Sequence, residues 1–213
     1  DGIRVKCDWS SDVCSSDLSY SSVPSGTSEY DYAGGLKGEP IEIMRGPITG
    51  LPIPARAEIV IEGYCHPDEL EPEGPFGEWA GYYANHGLEP VPEPVVRVQG
   101  ILHRSGPIMT CACPAKPPND SSYSESAFRS ATMWDEMEKA GVVGIRGVWC
   151  HEVGGARLFN VVSIKQQFAG HSRQAGMIAS QCRTGLYIGR YTIVLDDDID
   201  PSNLQEDRKS TRL

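Results

Sequence analysis

The segment Glu73-Gly-Pro-Phe-Gly-Glu78 constrains this chain most tightly. Two carboxylates stand five residues apart, with two glycines and a proline between them. Proline lacks a main-chain donor and glycine disfavours helix, so the stretch cannot run on as a helix and is expected to form a fixed bend. Such a bend can bring both acids to one place. Like-charge repulsion there splits their titration and keeps one protonated near neutral pH, the state a proton donor needs. The plainer alternative for the same residues is a solvated surface turn carrying two ordinary glutamates.

Before and just after this bend the chain has the texture of strand and turn. Residues 41–44 alternate and predict a short strand. Residues 57–62 predict a half-buried strand with Ala57, Ile59 and Ile61 inward and Glu58 and Glu62 outward. Pro90, Pro92 and Pro94 predict a break, followed by a β-branched strand over 95–103. Pro114-Ala-Lys-Pro-Pro118 and the polar run 119–126 predict a linker or exposed crossing.

Beyond that point the period changes. Phe128, Ala131, Trp134 and Met137 recur at near-helical spacing, and Gly141 ends the run. Residues 142–149 and 158–164 are apolar strands. Ala175, Ile178, Ala179 and Cys182 fall at i, i+3, i+4 and i+7, an amphipathic helix, and 191–195 reads as a buried strand. Strands alternating with helices predict an α/β piece after a β-rich one, so the expected class is α+β with a boundary near residue 118.

With 213 residues, 39% of them hydrophobic, the chain can bury a real core. A formal charge of -10 argues against nucleic acid or an anionic membrane as partner, since both demand a basic surface. No apolar run approaches the ~18 residues of a membrane span. Seven cysteines without a Cys-x-x-Cys pair make a reduced, cytoplasmic setting the default, with Cys111 and Cys113 the one close pair. Both ends look foreign. Residues 207–213 and 12–17 are encodable by one oligonucleotide read in opposite directions, as translated sequencing adapter would be, and a flexible Ser/Asp tail is the rival reading. Without residues 1–18 and 207–213 the charge is still -10, and five cysteines remain.

Four blocks stand in order along the chain: Ser28-Glu-Tyr-Asp-Tyr-Ala-Gly-Gly-Leu-Lys-Gly-Glu-Pro40, Pro54-Ala-Arg-Ala-Glu-Ile-Val-Ile-Glu-Gly63, the Glu73 to Glu78 bend continuing to Gly81-Tyr82-Tyr83, and Val194-Leu-Asp-Asp-Asp-Ile-Asp-Pro201. Together they resemble the UbiD-type carboxy-lyases, decarboxylases of aromatic and α,β-unsaturated acids that depend on prenylated FMN. The resemblance implies a partial split β-barrel flavin-binding domain over 19–118 and the start of an α/β C-terminal oligomerisation domain over 119–206, between artefactual tails at 1–18 and 207–213.

It also implies roles. Glu73 matches the acid that holds an arginine placed earlier in the chain, and Glu78 the acid that protonates the carbon left when carbon dioxide departs. The cofactor takes the difficult step, while the protein positions and protonates. Glu29 matches a ligand of the Mn2+ or Mg2+ ion that clamps the flavin phosphate, with K+ a further cation the resemblance allows. The arginine and the other metal ligands, an asparagine and a histidine, would precede residue 19. They are missing, so the expectation is an inactive fragment of an enzyme that works as a homo-oligomer on a small carboxylic acid.

Rival readings come from other chemistry. Asp196-Asp-Asp-Ile-Asp200 after a strand suits a magnesium site for phosphoryl transfer, though no phosphate-cradling Gly-Lys-Ser/Thr loop accompanies it. A solvated acidic turn is the plainer account. His66, His86, His103, His151 and His171 pair at no spacing used for metals and are expected to be surface or satisfied histidines, His171 as a helix-start residue. Finally, the α/β part alone would serve as a non-catalytic oligomerisation module if it exposes apolar residues.

Overall fold

The computed structural model describes residues 3–9, 23, 26–74, 89–109 and 116–205. They belong to two compact units, one drawn from residues 1–17 and 26–116, the other from 18–25 and 117–213.

Unit 1 contains β1 (Ile3–Trp9), α1 (Glu29–Lys37), β2 (Ile43–Arg45), β3 (Pro52–Pro54), β4 (Ile59–Glu73) and β5 (Val91–His103). β1, β4 and β5 form an antiparallel sheet in that order, and β2 pairs with β3. Among the described residues these strands do not close on themselves, so the expected split barrel is visible only as a three-stranded sheet and a separate pair. β1 lies in the stretch read as a foreign tail. α1 has charges that suit its dipole, Glu29 and Asp31 in the first turn and Lys37 in the last, and Gly38 closes it at φ 77°.

Two expectations for this unit are corrected. β5 runs straight through Pro92 and Pro94, which face Pro72 and Leu70 of β4. Proline is admissible because, among the described residues, β5 is the edge of its sheet, where a missing donor on the outer side costs no ladder bond. In the stretch 57–62 the faces are reversed: Glu58, Val60 and Glu62 are the buried residues, and Ile59 and Ile61 only half-buried. Alternation fixes the period but not which face turns inward.

Unit 2 contains α2 (Asp120–Lys139), β6 (Ile145–Cys150), a 3-10 turn (Glu152–Gly154), β7 (Phe159–Ile164), α3 (His171–Gln181), α4 (Arg183–Leu186) and β8 (Tyr191–Asp196). Its sheet has the order β6-β7-β8, antiparallel then parallel. Met133 and Met137 of α2 and Ala175 and Ala179 of α3 pack with Val148, Val162 and Ile164 in one core, beside the half-buried Ile178, Cys182 and Val194. The opposite face gathers Val161, Leu195 and Ile199. Period 2 accounts for this division: Val162 faces the helices and Val161 faces away. The α3 stripe lies as its spacing predicts.

α2 begins earlier than expected. The polar run 120–126 is helix, not linker: Asn119 and Ser122 form a capping box, each side chain bonding the other's amide at 2.9 Å. Inside the helix, Ser126 and Ser130 donate their hydroxyls to the carbonyls of Ser122 (2.8 Å) and Ser126 (2.6 Å), which lets polar residues sit on the buried face. That face carries Ser122, Ser126, Arg129, Ser130, Met133 and Met137, whereas Ala131 is exposed and Phe128 half-buried.

Arg129 is fully buried. It donates Nε to the Ala156 carbonyl (2.8 Å) and Nη2 to that of Thr184 (2.7 Å), tying α2 to the turn before β7 and to α4. Burial pulls its pKa below the ordinary guanidinium value.

His151 is also buried. Its ring stacks on Phe159, with centroids 5.0 Å apart, and Nε2 donates to the Pro201 carbonyl at 2.9 Å, fixing the segment after β8. Burial lowers its pKa, more than the Pro201 carbonyl and the Glu152 and Asp200 carboxylates raise it. The unfolded chain therefore takes up the proton first, so His151 leaves stability intact above the unfolded value of 6.5 and lowers it as pH falls below that value. Denaturation midpoints between pH 7.5 and 5 are expected to fall less steeply in His151→Gln than in the parent chain. Equal slopes would show that His151 is not held neutral.

Candidate active site

β4 organises the acidic residues of unit 1. Glu62, with no exposed surface, accepts from the Thr49 amide (3.0 Å) and hydroxyl (2.5 Å) through Oε1 and from the Ile48 amide (3.3 Å) through Oε2. Burial opposes its ionisation, but these bonds outweigh that and hold the carboxyl below its usual range. A Cβ at position 46 would lie 2.0 Å from Glu62 Oε1, so a larger residue there would displace that carboxylate. Four residues earlier, Glu58 accepts from the Ile108 amide (3.2 Å) and from Arg104 Nη1 (2.9 Å), and the same two partners lower its pKa in that order. Glu62 within β4 thus fastens the loop 46–51, and Glu58 just before the strand fastens the segment 104–108.

The outer half of the β4–β5 ribbon is set off by a bulge. Cys65 faces Val96 and Leu70 faces Pro94, so four residues of β4 oppose one of β5. Arg97 spans it, bonding Glu69 and, at 3.0 Å, Glu71. Beyond this clamp the strand ends at Glu73, which faces Val91, and Gly74 takes φ 100°, a left-handed conformation open to glycine and strained for other residues. The rest of the expected bend, residues 75–78, lies outside the described residues. Glu73 is exposed, and Glu78 lies outside the described residues.

Glu29 is the first residue of α1 and is exposed. Neither Glu29 nor Glu73 enters an ion pair among the described residues. A cleft of ≈ 100 Å³ lies at the far end of α1, lined by Lys37, Glu39, Pro40, Ile41, Glu42, Pro54 and Arg56, and includes neither of them.

Among the described residues no three His, Cys, Asp or Glu side chains converge as a metal site. This counts against the phosphoryl-transfer reading: Asp196, Asp197 and Asp198 are exposed, and Asp200 instead accepts from the Ser202 amide (2.9 Å) and hydroxyl (2.8 Å), bonds that lower its pKa. The acidic run is a turn after a strand. His171, buried at the start of α3, accepts from the Gln167 amide (3.2 Å) and stacks on Phe168. Burial pushes the thiols of Cys150 up to about 12 and Cys182 up to about 11, which disfavours the thiolate form in both. Cys111 and Cys113 lie outside the described residues. No helix among those residues is long and apolar enough to cross a membrane.

Sequence reasoning missed the clamps, Glu62 with Thr49, Glu58 with Arg104 and Arg97 with Glu69 and Glu71. Their partners stand 13 to 46 residues apart, and no local pattern marks them.

Comparison with known proteins bears on the whole chain. Residues 12–117 match the 3-octaprenyl-4-hydroxybenzoate carboxy-lyase Rift-related domain, and residues 122–207 match the C-terminal domain of the same carboxy-lyases. The phenolic acid decarboxylase of Bacillus subtilis is 30% identical over 84% of this chain and 37% of its own length. An evolved dimeric form of the UbiD-class enzyme HmfF from Pelotomaculum thermopropionicum, solved with prFMN, superposes with a TM-score of 0.76 at 27% identity, covering 92% of this chain and 44% of that one. The vanillic acid decarboxylase of Sedimentibacter hydroxybenzoicus in its closed form gives 0.78 at 24% identity, over 91% and 40% of the two chains, a likeness of fold. The chain thus spans less than half the length of these relatives. With both domain descriptions met in order over residues 12–117 and 122–207, the chain belongs to the UbiD family of carboxy-lyases.

Proposed function

We propose that this chain is part of a non-oxidative decarboxylase, or its reverse carboxylase, acting on aromatic or α,β-unsaturated carboxylic acids with prenylated FMN. The observation that carries the proposal is the braced strand β4 ending at Glu73, where the sequence continues Gly-Pro-Phe-Gly-Glu78, within a chain that matches both UbiD domains. Prenylated FMN, when bound, supplies the electron-accepting ring system that makes loss of carbon dioxide feasible. Glu78 delivers the proton to the carbon that lost the carboxylate. Glu73 holds the arginine that faces the substrate acid, from a segment ahead of residue 19. The braces at Glu62 and Arg97 keep the strand that carries Glu73 in a fixed place, which is the protein's share of positioning.

Glu29 serves as one oxygen ligand of the Mn2+ or Mg2+ ion at the flavin phosphate. Its carboxylate is accessible and is a hard donor, which suits such an ion, and the partner ligands come from upstream. The enzyme works as a homo-oligomer in the cytoplasm. The test is recovery of the longer reading frame and assay of its product, loaded with prenylated FMN, for carbon dioxide release from cinnamic, hydroxybenzoic and furoic acids. An upstream arginine, asparagine and histidine together with turnover are expected. A frame without them, or a loaded protein inert in both directions, would sink the reading.

A further inference from the structure

The start of α1 is not fastened by its own cap. Ser28 takes the N-cap position with extended backbone but makes no side-chain bond to the helix, so the first turn, which begins at Glu29, depends on other ties. Tyr30 supplies one, its hydroxyl donating to the Pro52 carbonyl at 3.1 Å. At the other end of α1, Gly34 lies so close to the returning chain that a Cβ would stand 3.1 Å from the Glu39 carbonyl oxygen.

Pro52 opens β3, and the loop 46–51 before it is seated on β4 and β5 by a polar and an apolar contact. Thr49 Oγ1 donates to Glu62 Oε1 (2.5 Å) and accepts from the Leu51 amide (3.3 Å), one residue before Pro52. Ile48 fills the space over Gly100, which faces Glu62 across the ribbon and where a Cβ would lie 2.4 Å from Ile48 Cδ1. A series of contacts thus runs from β4, the strand that ends at Glu73, through Thr49, Leu51 and Pro52 to Tyr30, the chain neighbour of Glu29.

We propose that Tyr30 is a positioning residue for the metal ion: it hangs the first turn of α1 on the hairpin that Glu62 seats, so that Glu29 and the strand leading to Glu73 keep one frame. A ligand carboxylate works only when held to about 0.5 Å, and fixing the backbone that carries it is the share of that task the fold can supply. The proposal rests on the reading of Glu29 as a ligand of the ion at the flavin phosphate.

The experiment is titration of the full-length protein with FMN, followed by flavin fluorescence, once with Mn2+ and once with EDTA. The ratio of the two affinities is the metal's share of binding. Mn2+ is expected to tighten binding to the parent protein, and Glu29→Ala to abolish that gain. Tyr30→Phe keeps the ring and removes only the donor, so it should cut the gain about fivefold with no matching loss in EDTA. Glu62→Gln, which can no longer accept all of its bonds, should cut the gain at least as far, and if it fails to fold, Tyr30→Phe decides alone. A full gain in Tyr30→Phe beside a lost one in Glu29→Ala would overturn this inference and spare the reading of Glu29. Equal losses with and without Mn2+ in Tyr30→Phe would make Tyr30 a packing residue and overturn it as well. A gain that survives Glu29→Ala would remove Glu29 as a ligand and the role of Tyr30 with it.

Discussion

Truncating Met133 to alanine is expected to cost unit 2 about 3 kcal/mol, within the range for a fully buried core methionine. Met133 and Met137 are both fully buried, among Ile145, Val148, Cys150, Val162 and Ile164. The loss has two parts, the apolar surface no longer withdrawn from water and the cavity that a close-packed interior cannot fill by collapse. α2 has little freedom to shift into the gap. The Asn119 box fixes its first turn, Ser130 Oγ accepts the Cys150 amide at 2.8 Å, and Arg129 holds the Ala156 and Thr184 carbonyls. Hydrogen exchange of the Val161 and Val162 amides reads the effect, with protection expected to fall about a hundredfold if they open with the unit. Met133→Leu, close in volume, should cost less than about 1.5 kcal/mol. Equal losses in the two variants would mean that shape at 133 matters more than burial.

The particular residues show what the sequence discloses and what it withholds. The left-handed turn at Gly74 is legible because it rests on backbone chemistry: the residue occupies a conformation its type permits, whatever surrounds it. The α3 stripe is legible because Ala175 and Ala179 repeat with the helix period and are apolar. The inward side of the stretch 57–62 is not, since the apolar Ile59 and Ile61 are the natural choice and burial of Glu58 and Glu62 depends on donors from Thr49, Ile48, Arg104 and Ile108. The start of α2 is hidden for the same reason. A polar run resembles a linker until its serines are seen to bond back along the helix. For the candidate site, the family blocks name Glu29, Glu73 and Glu78, while the braces that position the strand come from long-range pairing.

A Glu78→Gln variant of the full-length protein, loaded with prenylated FMN, is expected to lose about 10²–10⁴ of its turnover, the range associated with removal of a general acid. The change keeps the shape of the side chain and deletes only the proton it can give, so substrate affinity should move little and the loss should fall on kcat. The same step read backwards gives a second signal. A product incubated in deuterium oxide exchanges the hydrogen at the carbon that carried the carboxylate only if an enzyme group takes and returns that proton, and Glu78→Gln should abolish this exchange. Glu73→Gln acts differently, because Glu73 ends a braced strand and is proposed to hold an arginine. It should raise KM as well as lower kcat, through loss of a charge-assisted contact. Near-normal turnover and exchange in Glu78→Gln would remove that residue from the proton path, and identical kinetic profiles in the two variants would remove the division of labour between them.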